Sequence, residues 1–383
     1  MTAYAYPSSF PTSEQLLFLK TIMAPKGGFA SLWKQLKGQI DLDTLDTSTY
    51  RLLPSLYLRM AQEEDFHDEW LGRIKGVYRQ GWARNQLLLN ATASVVEALN
   101  HQGIPSILLK GVSLLLSSYR DVGGRMMGDA DLLVPLEKAV DACNLMLSLG
   151  WKTRLGADIK WFDDKNILLY VRTTHEKSFV NAQGQILDLH FISPFHNVYA
   201  PDQVRGFWQT AVPIMVNGTP CQVLSPEMLF LHVCYHGYRK NRMASYRWVL
   251  DAMRTVQSSP NFDWAQLIGF SKLLGFTFHL KMAVSYLVEH FHFSISEPER
   301  NALGNYRPNQ QELRDYYESM NISLLNMGNL PILWGKFKLE YPTEPMIYRP
   351  FRFSKYLKET YILGHRGELV TMYFKRFINR LKA

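Results

Sequence analysis

The sequence predicts an α+β protein in which a small mixed β-sheet lies between two helical regions. Apolar residues follow a helical spacing up to about residue 103, and short apolar or alternating runs typical of strands replace that spacing between residues 104 and 224. Helical spacing returns from residue 225. We therefore expect three segments: an N-terminal helical region at 1–103, an α/β domain at 104–224 and a C-terminal helical region at 225–383.

The N-terminal region is predicted to be helical from about Ser13 to Gln102. Apolar residues recur at intervals of three and four between Gln80 and Leu99, which places them on one face of a helix. Gly103 follows at the point where that pattern stops, and glycine commonly ends a helix.

The central region begins with an apolar strand at Ile104–Leu109, followed by Lys110-Gly111 as a sharp exit and a short helix at Val112–Ser118. A second strand at Ala130–Pro135 leads into a helix at Leu136–Leu149 that stops at Gly150. Three further strands are predicted, the last two joined by a turn at Gln183-Gly184: 166–172, 177–181 and 185–191.

The C-terminal region is predicted to start its first helix at Ser225-Pro226. Serine accepts hydrogen bonds from the first free amides of a helix, and proline suits the first helical position. Weaker breaks in the helical pattern fall at 258–260 and 341–345.

The charge of the chain is concentrated at its C-terminal end. The net charge is +8, and residues 332–383 contain 11 Lys and Arg against 4 Glu. This aromatic-rich basic tail is typical either of a solvated helical face or of a surface that meets an anionic partner.

The remaining composition is that of an ordinary globular protein. No cationic segment followed by an apolar run begins the chain, and no run of 18 apolar residues occurs, so we expect a cytoplasmic protein without a transmembrane segment. The three cysteines have neither zinc-binding nor disulfide-framework spacing and are predicted to be buried thiols: Cys143, Cys221 and Cys234.

The chemistry of the chain is predicted to centre on Asp129 and Asp131, which are separated by one residue in the run Gly128–Val134. In a strand, residues i and i+2 point to the same face, so the two carboxylates would project together. Two carboxylates this close repel each other unless a cation lies between them. The pattern therefore predicts a site for Mg²⁺ or Mn²⁺, a cation that proteins commonly hold together with the phosphates of a substrate.

A third carboxylate, Asp188, lies in the apolar strand Ile186–Phe191 and shares a face with His190. If the two strands are neighbours, Asp188 joins the first pair, holding the ion that activates an acceptor hydroxyl or taking the proton of that hydroxyl. Four residues are candidates for holding phosphate: Lys110 at the end of its strand, Gly111 after it, Ser113 and Arg125.

These motifs together resemble the uncharacterised nucleotidyltransferase family of the DNA polymerase β-like superfamily. The resemblance rests on Leu109–Gly111, Tyr119–Asp121, Arg125, Asp129–Val134 and Leu187–His190, with helical features at 224–227, 232, 236 and 247–251. It implies a nucleotidyltransferase that moves a nucleoside monophosphate from an NTP, with Mg²⁺ bound by the three aspartates and pyrophosphate leaving. The acceptor can be a small molecule, a sugar, a protein or a nucleic acid.

The sequence departs from the wider superfamily at the triphosphate turn. The usual Gly-Ser pair is replaced by Lys110-Gly111, with Ser113 nearby, a form that the resembling family shares. Two alternatives therefore stay open, an Asp-x-Asp glycosyltransferase that uses a nucleotide-sugar and a non-catalytic nucleotide-binding protein.

Four further features have structural interpretations. His190 is a nucleotide contact, a hydrogen-bonding partner of Asp188 or a hydrogen-bonded core residue. His232 and His236 are interpreted as structural or pocket-wall residues. Arg247 and Asp251 are expected to pair at i, i+4 on one helix. The basic aromatic stretch 235–248 is interpreted as ordinary packing.

Overall fold

The computed structural model confirms the predicted α+β architecture. It describes residues 4–7, 9–154, 160–167, 176–195, 201–238, 246–310 and 348–360, with single positions at 312, 313, 315, 316, 334, 337 and 345. The predicted strand at 166–172 falls mostly outside this part, and its first two residues lie in a helical turn instead. Most of the basic tail also falls outside it.

The N-terminal region folds into five helices, as its spacing predicts. The first begins with a capping box in which Thr12 and Gln15 bind each other's backbone amides. The long fifth helix ends just before Gly103, which adopts the positive φ that glycine tolerates. The helices are α1 Ser13–Ile22, α2 Phe29–Lys37, α3 Thr47–Tyr50, α4 Leu53–Met60 and α5 Leu71–His101.

A mixed sheet of seven strands forms the centre of the described structure. Its spatial order is β3-β4-β5-β2-β1-β7-β6. The strands are β1 Ile107–Leu109, β2 Ala130–Leu133, β3 Lys152–Thr153, β4 Glu176–Val180, β5 Ile186–His190, β6 Val212–Val216 and β7 Thr219–Val223. Strand β2 pairs antiparallel with β1 and parallel with β5, so it lies in the middle of the sheet.

The hairpin β6–β7 is an element that the sequence interpretation missed. Asn217 and Gly218 join its strands, and both have positive φ. Asn-Gly is the residue pair that best fits a two-residue hairpin turn, so the signal was present in the sequence. The predicted turn at Gln183-Gly184 is confirmed, since Gly184 also has positive φ and Asn181 donates to the Gln185 carbonyl.

The longer helices among the described residues lie beside the sheet in the central region and after it. They are α6 Lys110–Leu114, α7 Ala139–Ser148, α8 Pro201–Gln209, α9 Pro226–Tyr238, α10 Trp248–Gln257, α11 Trp264–Leu274, α12 Thr277–Phe291, α13 Glu297–Asn305 and α14 Arg349–Thr360. A turn of π-helix extends α6 to Tyr119. Ser225 caps α9 as predicted, because its hydroxyl accepts from the Met228 amide at 3.3 Å.

Buried apolar side chains of all three regions form one connected core. Helix α9 packs against α10, α11 and α12, and it also contacts α6 beside the sheet. The three cysteines are buried and unpaired, as predicted. None of the helices in the described part of the chain combines the length and apolar composition that a membrane span needs.

Candidate active site

Two of the three predicted aspartates face each other across neighbouring strands. The parallel register of β2 and β5 pairs Asp131 directly with Asp188, as the adjacency of the two strands requires. Both side chains therefore lie on the same face of the sheet. Asp131 is 2% exposed and Asp188 is 9% exposed, so two acidic groups are buried side by side. Such an arrangement is costly unless positive charge lies close to it.

Asp129, the third predicted aspartate, lies immediately before β2. It is exposed to solvent, unlike Asp131 and Asp188. The surrounding protein, and then repulsion from Asp131, raise the pKa of the Asp129 carboxyl. The positive charges of Lys110 and Arg51 act in the opposite direction. Asp129 is thus close enough to Asp131 for the two charges to interact.

The Lys110 ammonium supplies positive charge to the site. It donates a short hydrogen bond to Asp131 Oδ1. Although burial opposes the charge of Lys110, the pKa of its ammonium is raised because Asp131 and Glu176 lie beside it. Lys110 also has a positive φ of 44°, a conformation that is uncommon for a residue with a side chain. The backbone turns at Lys110, where β1 ends and α6 begins. The side chain that carries the ammonium starts at this turn.

His190 and Glu176 extend the cluster on the β5 and β4 side. His190 donates from Nε2 to Asp131 Oδ1 at 3.0 Å, and the same nitrogen lies 3.4 Å from Glu176 Oε2. In spite of burial, Lys110 and His190 hold the pKa of Asp131 far below its ordinary range. One ligand atom from each of Asp131, Glu176 and His190 lies within 4.8 Å of the other two, which is close enough for these residues to hold a metal ion.

Asp188 has no ion pair among the described residues. Its Oδ1 is buried and has no hydrogen-bond partner among them. Burial raises the pKa of Asp188 to about 6, the Ser178 hydroxyl beside it acts in the opposite direction, and repulsion from Glu176, Asp131 and Asp129 adds to the rise. A buried carboxylate oxygen without a partner, beside two other carboxylates, has the chemistry of a ligand for a hard divalent cation. The donor set therefore fits Mg²⁺ or Mn²⁺.

Of the four residues predicted to hold phosphate, Lys110 alone contacts one of these carboxylates in the described structure. Gly111 is closely packed, since a β-carbon there would lie 3.0 Å from Arg125 Nη1 and 3.3 Å from Met127 Sδ. A side chain at this position would meet protein, and the assignment of Gly111 to the phosphates stays a prediction. Ser113 is fully buried, and its hydroxyl has no hydrogen-bond partner among the described residues.

Arg125 is buried and directed towards Asp251. Its Nε and Nη2 donate to the two oxygens of that carboxylate, both at 2.9 Å. The assignment of Arg125 as a phosphate ligand remains a prediction, since this pair occupies two of its nitrogens. The expected pairing of Arg247 with Asp251 is present at 3.9 Å, but the hydrogen bonds of Asp251 go to Arg125 and Tyr119 instead.

The two histidines of α9 are buried near this site. His232 donates from Nε2 to the Pro194 carbonyl at 3.0 Å, and its ring lies 4.6 Å from that of His236. Burial lowers the pKa of His232 to about 3 and that of His236 well below its ordinary value, so both are neutral at physiological pH. This agrees with the structural interpretation. The basic residues of the stretch at 239–242 lie outside the described part.

Two residues that the sequence interpretation did not select lie at the site. Glu176 was placed just outside its strand, whose predicted start was Lys177, although the alternation of 176–180 includes it. Arg51 lies between α3 and α4 of the N-terminal region, far from the motifs in sequence. No local pattern could have connected Arg51 to Asp129, because only the packing of the N-terminal helices against the sheet brings them together.

Comparison with protein families identifies the class of protein to which these residues belong. The model of the family described as "Uncharacterised nucleotidyltransferase" matches residues 47–292, which is more than half of the chain. The chain belongs to this family and is a nucleotidyltransferase. The match covers every residue of the cluster described above, including Arg51. No curated protein matches the chain.

Two solved structures are similar to parts of the chain. One is the solution structure of the antibiotic-resistance factor ANT(2'')-Ia, at 11% identity and a TM-score of 0.34, with 53% of this chain and 96% of that chain covered. The other is a crystal structure of an antigenic nucleotidyltransferase-like protein from Paracoccidioides brasiliensis, at 14% identity and a TM-score of 0.36, with 58% and 95% covered. With TM-scores this low, neither structure identifies a substrate for this chain.

Proposed function

We propose that the protein transfers a nucleoside monophosphate from an NTP to a nucleophilic acceptor and releases pyrophosphate, with Mg²⁺ or Mn²⁺ held by Asp129, Asp131 and Asp188. The observation that supports this most directly is the register pairing of Asp131 with Asp188, together with the buried, unpartnered Oδ1 of Asp188. Asp129 stands at the open edge of the pair, where the metal-bound phosphates of a nucleotide would enter.

The bound cation would neutralise charge on the α-phosphate and on the leaving pyrophosphate, and it would lower the pKa of the acceptor hydroxyl. In the transfer, a bond forms between the acceptor oxygen and the α-phosphorus while the bond between that phosphorus and the α,β-bridging oxygen breaks. The electron pair of the broken bond leaves with pyrophosphate.

Asp188 has the properties of the group that takes the acceptor proton. In the metal-free protein burial raises the pKa of Asp188 to about 6, and the buried Oδ1 has no hydrogen-bond partner among the described residues, so this oxygen is open to a proton from the acceptor. Asp131 is less suited to this role because Lys110 and His190 strongly stabilise it as an anion, and Asp129 differs from Asp188 in being exposed at the edge of the site. We therefore assign proton acceptance to Asp188 in addition to its part in holding the metal, and metal binding alone to Asp129 and Asp131.

Lys110 is assigned two roles, one in the metal-free site and one with the cation bound. In the metal-free site its ammonium offsets the charge of Asp131. If a cation were held by Asp131, the ammonium would no longer be needed to offset that carboxylate and would be available to a phosphate oxygen. Lysine binds phosphate as a mobile point charge, which suits such an exchange.

The proposal is tested by calorimetric titration of the four NTPs in Mg²⁺ or Mn²⁺, with wild type and the Asp129→Asn and Asp131→Asn variants. We expect metal-dependent binding of at least one NTP by wild type and a loss of about a hundredfold or more in each variant, since each removes a metal ligand. Asp141→Asn is the matched control, because Asp141 is an exposed residue of α7 that pairs only with Lys138.

Three outcomes would contradict the proposal in different ways. Unchanged NTP binding by Asp129→Asn and Asp131→Asn would remove the metal assignment. Metal-dependent binding of a UDP-sugar in place of any NTP would favour a glycosyltransferase. Tight NTP binding that needs no metal would favour a nucleotide-binding protein without transfer activity.

A further inference from the structure

Arg51 projects from the N-terminal helical region to the edge of the carboxylate cluster. It caps the C-terminal end of α3, directly before α4 begins. Its Nη2 would lie 3.9 Å from a β-carbon built on Gly128, and its positive charge opposes the rise in the pKa of Asp129. The guanidinium thus lies beside the Gly128-Asp129 segment that leads into β2.

The Arg51 guanidinium has neither an ion pair nor a hydrogen bond within the described part of the chain. Other arginines of the N-terminal region differ: Arg59 pairs with Glu63, and Arg73 pairs with Asp43. The cations nearest the carboxylates are also committed, since Lys110 binds Asp131 and Arg125 binds Asp251. Arg51 is therefore the cation at this edge whose hydrogen-bonding capacity remains open.

A second guanidinium lies close to Arg51 and increases the positive charge there. Arg247 is largely buried, with 12% of its side chain exposed, and its Nη1 donates to the Met126 carbonyl at 2.8 Å. Burial, and then the charges of Arg125 and Arg51, lower the pKa of Arg247 to about 10. Arg125 and Arg247 share the carboxylate of Asp251, so these two guanidiniums have one ion-paired carboxylate between them. Guanidinium charge that is only partly offset favours the binding of an anion.

We propose that Arg51, with Arg247 behind it, forms the subsite for the terminal phosphates of the nucleotide donor. The inference rests on the proposed function for the identity of the anion, because a triphosphate bound at Asp129 would extend from that carboxylate past Gly128. The planar fork of an arginine binds two phosphate oxygens at once. In other members of the superfamily the Gly-Ser turn holds the triphosphate. In this chain Gly111 and Ser113 stand at that turn and are closely surrounded by protein, and the Arg51 subsite would hold the terminal phosphates instead.

The test uses tripolyphosphate as the probe, because it carries the phosphates without requiring knowledge of the base. Its affinity in Mg²⁺ is measured by calorimetry for wild type, Arg51→Ala and Arg51→Lys. Loss of a charge-assisted, two-pronged contact should weaken binding by about ten- to a hundredfold in Arg51→Ala. The affinity of Arg51→Lys should lie between those of wild type and Arg51→Ala, because lysine keeps the positive charge but cannot bind two phosphate oxygens at once. Arg300→Ala is the matched control, since Arg300 is an exposed arginine of α13, a helix that packs against α11 and α12.

A parallel titration with ATP and AMP separates this subsite from the proposed function. Arg51→Ala should weaken the binding of ATP and leave the binding of AMP unchanged, because AMP has no terminal phosphates.

If wild type binds ATP in a metal-dependent manner and Arg51→Ala binds it equally well, the subsite is wrong and the proposed function stands. If tripolyphosphate binding depends on Arg51 while no NTP binds through Asp129 and Asp131, Arg51 binds a polyphosphate that does not belong to a nucleotide donor, and the proposed function fails. Absence of tripolyphosphate binding by wild type overturns the subsite. If thermal melting shows that Arg51→Ala is unfolded, Arg51→Gln replaces it as the test variant.

Discussion

Arg125 and Asp251 form a buried, two-pronged salt bridge between residues 126 positions apart, with both hydrogen bonds at 2.9 Å. Arg125 belongs to the loop that leads to Asp129, and Asp251 belongs to α10 of the C-terminal region. Tyr119 donates a third hydrogen bond to Asp251 at 2.7 Å. The C-terminal helices therefore hold the loop that enters the carboxylate site, which gives them a direct part in shaping it.

Asp251→Asn is expected to destabilise the protein by about 3–5 kcal/mol, because it leaves the buried guanidiniums of Arg125 and Arg247 without a compensating charge. The measurement is the free energy of unfolding from urea titration at pH 7. Asp43→Asn is the control: Asp43 pairs with Arg73 on the surface, where such a pair is worth less than about 1 kcal/mol. Equal effects of the two substitutions would show that the Asp251 carboxylate is not essential to the fold.

Gly237 of α9 is predicted to tolerate no side chain. A β-carbon there would lie 2.1 Å from Cγ and 2.5 Å from Cβ of Trp248, which is itself buried at the start of α10. Gly237→Ala should therefore cost at least about 2 kcal/mol in the free energy of unfolding, since the two helices must separate. Urea or thermal unfolding measures the change.

Gly269→Ala is the matched control for this prediction. Gly269 is an exposed helical glycine of α11 with open space around it. Alanine there should stabilise the protein by roughly 0.5–1 kcal/mol, because it restricts the unfolded chain and favours the helix. If both substitutions stabilise, α9 and α10 are further apart than the structure places them.

The central strands and the aspartates could be predicted because their signals are local. The apolar runs of β1, β2 and β5 and the i, i+2 spacing of Asp129 and Asp131 are visible in a few consecutive residues. Parallel pairing of β2 with β5 then brings Asp188 to the site without further information. The domain boundaries proposed at 103/104 and 224/225 stay predictions, since one core joins the three segments.

The partners of the aspartates could not be predicted, because they depend on packing between distant segments. Nothing in the sequence near Arg125 indicates that Asp251 lies beside it, and the i, i+4 pattern favoured Arg247 for that role. Arg51 is about 80 residues before Asp129 and in a different predicted region. Long-range pairing of this kind is set by how helices pack on the sheet, which residue spacing does not encode.

Lys110→Met is predicted to increase the affinity of the nucleotide-free protein for Mn²⁺ by about tenfold. In wild type a cation must displace the ammonium that binds Asp131, whereas the variant leaves Asp131 and Glu176 without that competitor. Methionine preserves most of the length and apolar stem of lysine. Electron paramagnetic resonance of free Mn²⁺ during titration measures the affinity.

Lys138→Met is the control for this effect, since Lys138 is half-exposed on a helix and pairs with Asp141 at 3.7 Å. It should leave Mn²⁺ affinity unchanged. Weaker Mn²⁺ binding by Lys110→Met would mean that the lysine helps to hold the carboxylates in position for the metal instead of competing with it.

Asp188→Asn is predicted to make the metal-free protein more stable at pH 8 and to leave its stability almost unchanged near pH 4. The Asp188 pKa is raised from 3.8 to about 6 in the folded protein, so between these values the folded state binds more protons than the unfolded state. The free energy of unfolding therefore falls as the pH rises from about 4 to 6. Above pH 6 the free energy of unfolding of wild type is lower by roughly 3 kcal/mol than near pH 4 because of this group, and an amide at position 188 avoids that decrease.

The measurement is urea unfolding of wild type and Asp188→Asn in EDTA between pH 4 and 8, with the difference between the two plotted against pH. Asp141→Asn should give a flat difference, because Asp141 is exposed. Adding Mg²⁺ at pH 8 should stabilise wild type and have a smaller effect on Asp188→Asn, since a cation that binds the ionised carboxylate offsets the cost of burying its charge. A variant less stable than wild type at pH 8 in EDTA would show that the ionised Asp188 is already compensated by the protein, and that Asp188 needs no cation to balance its charge.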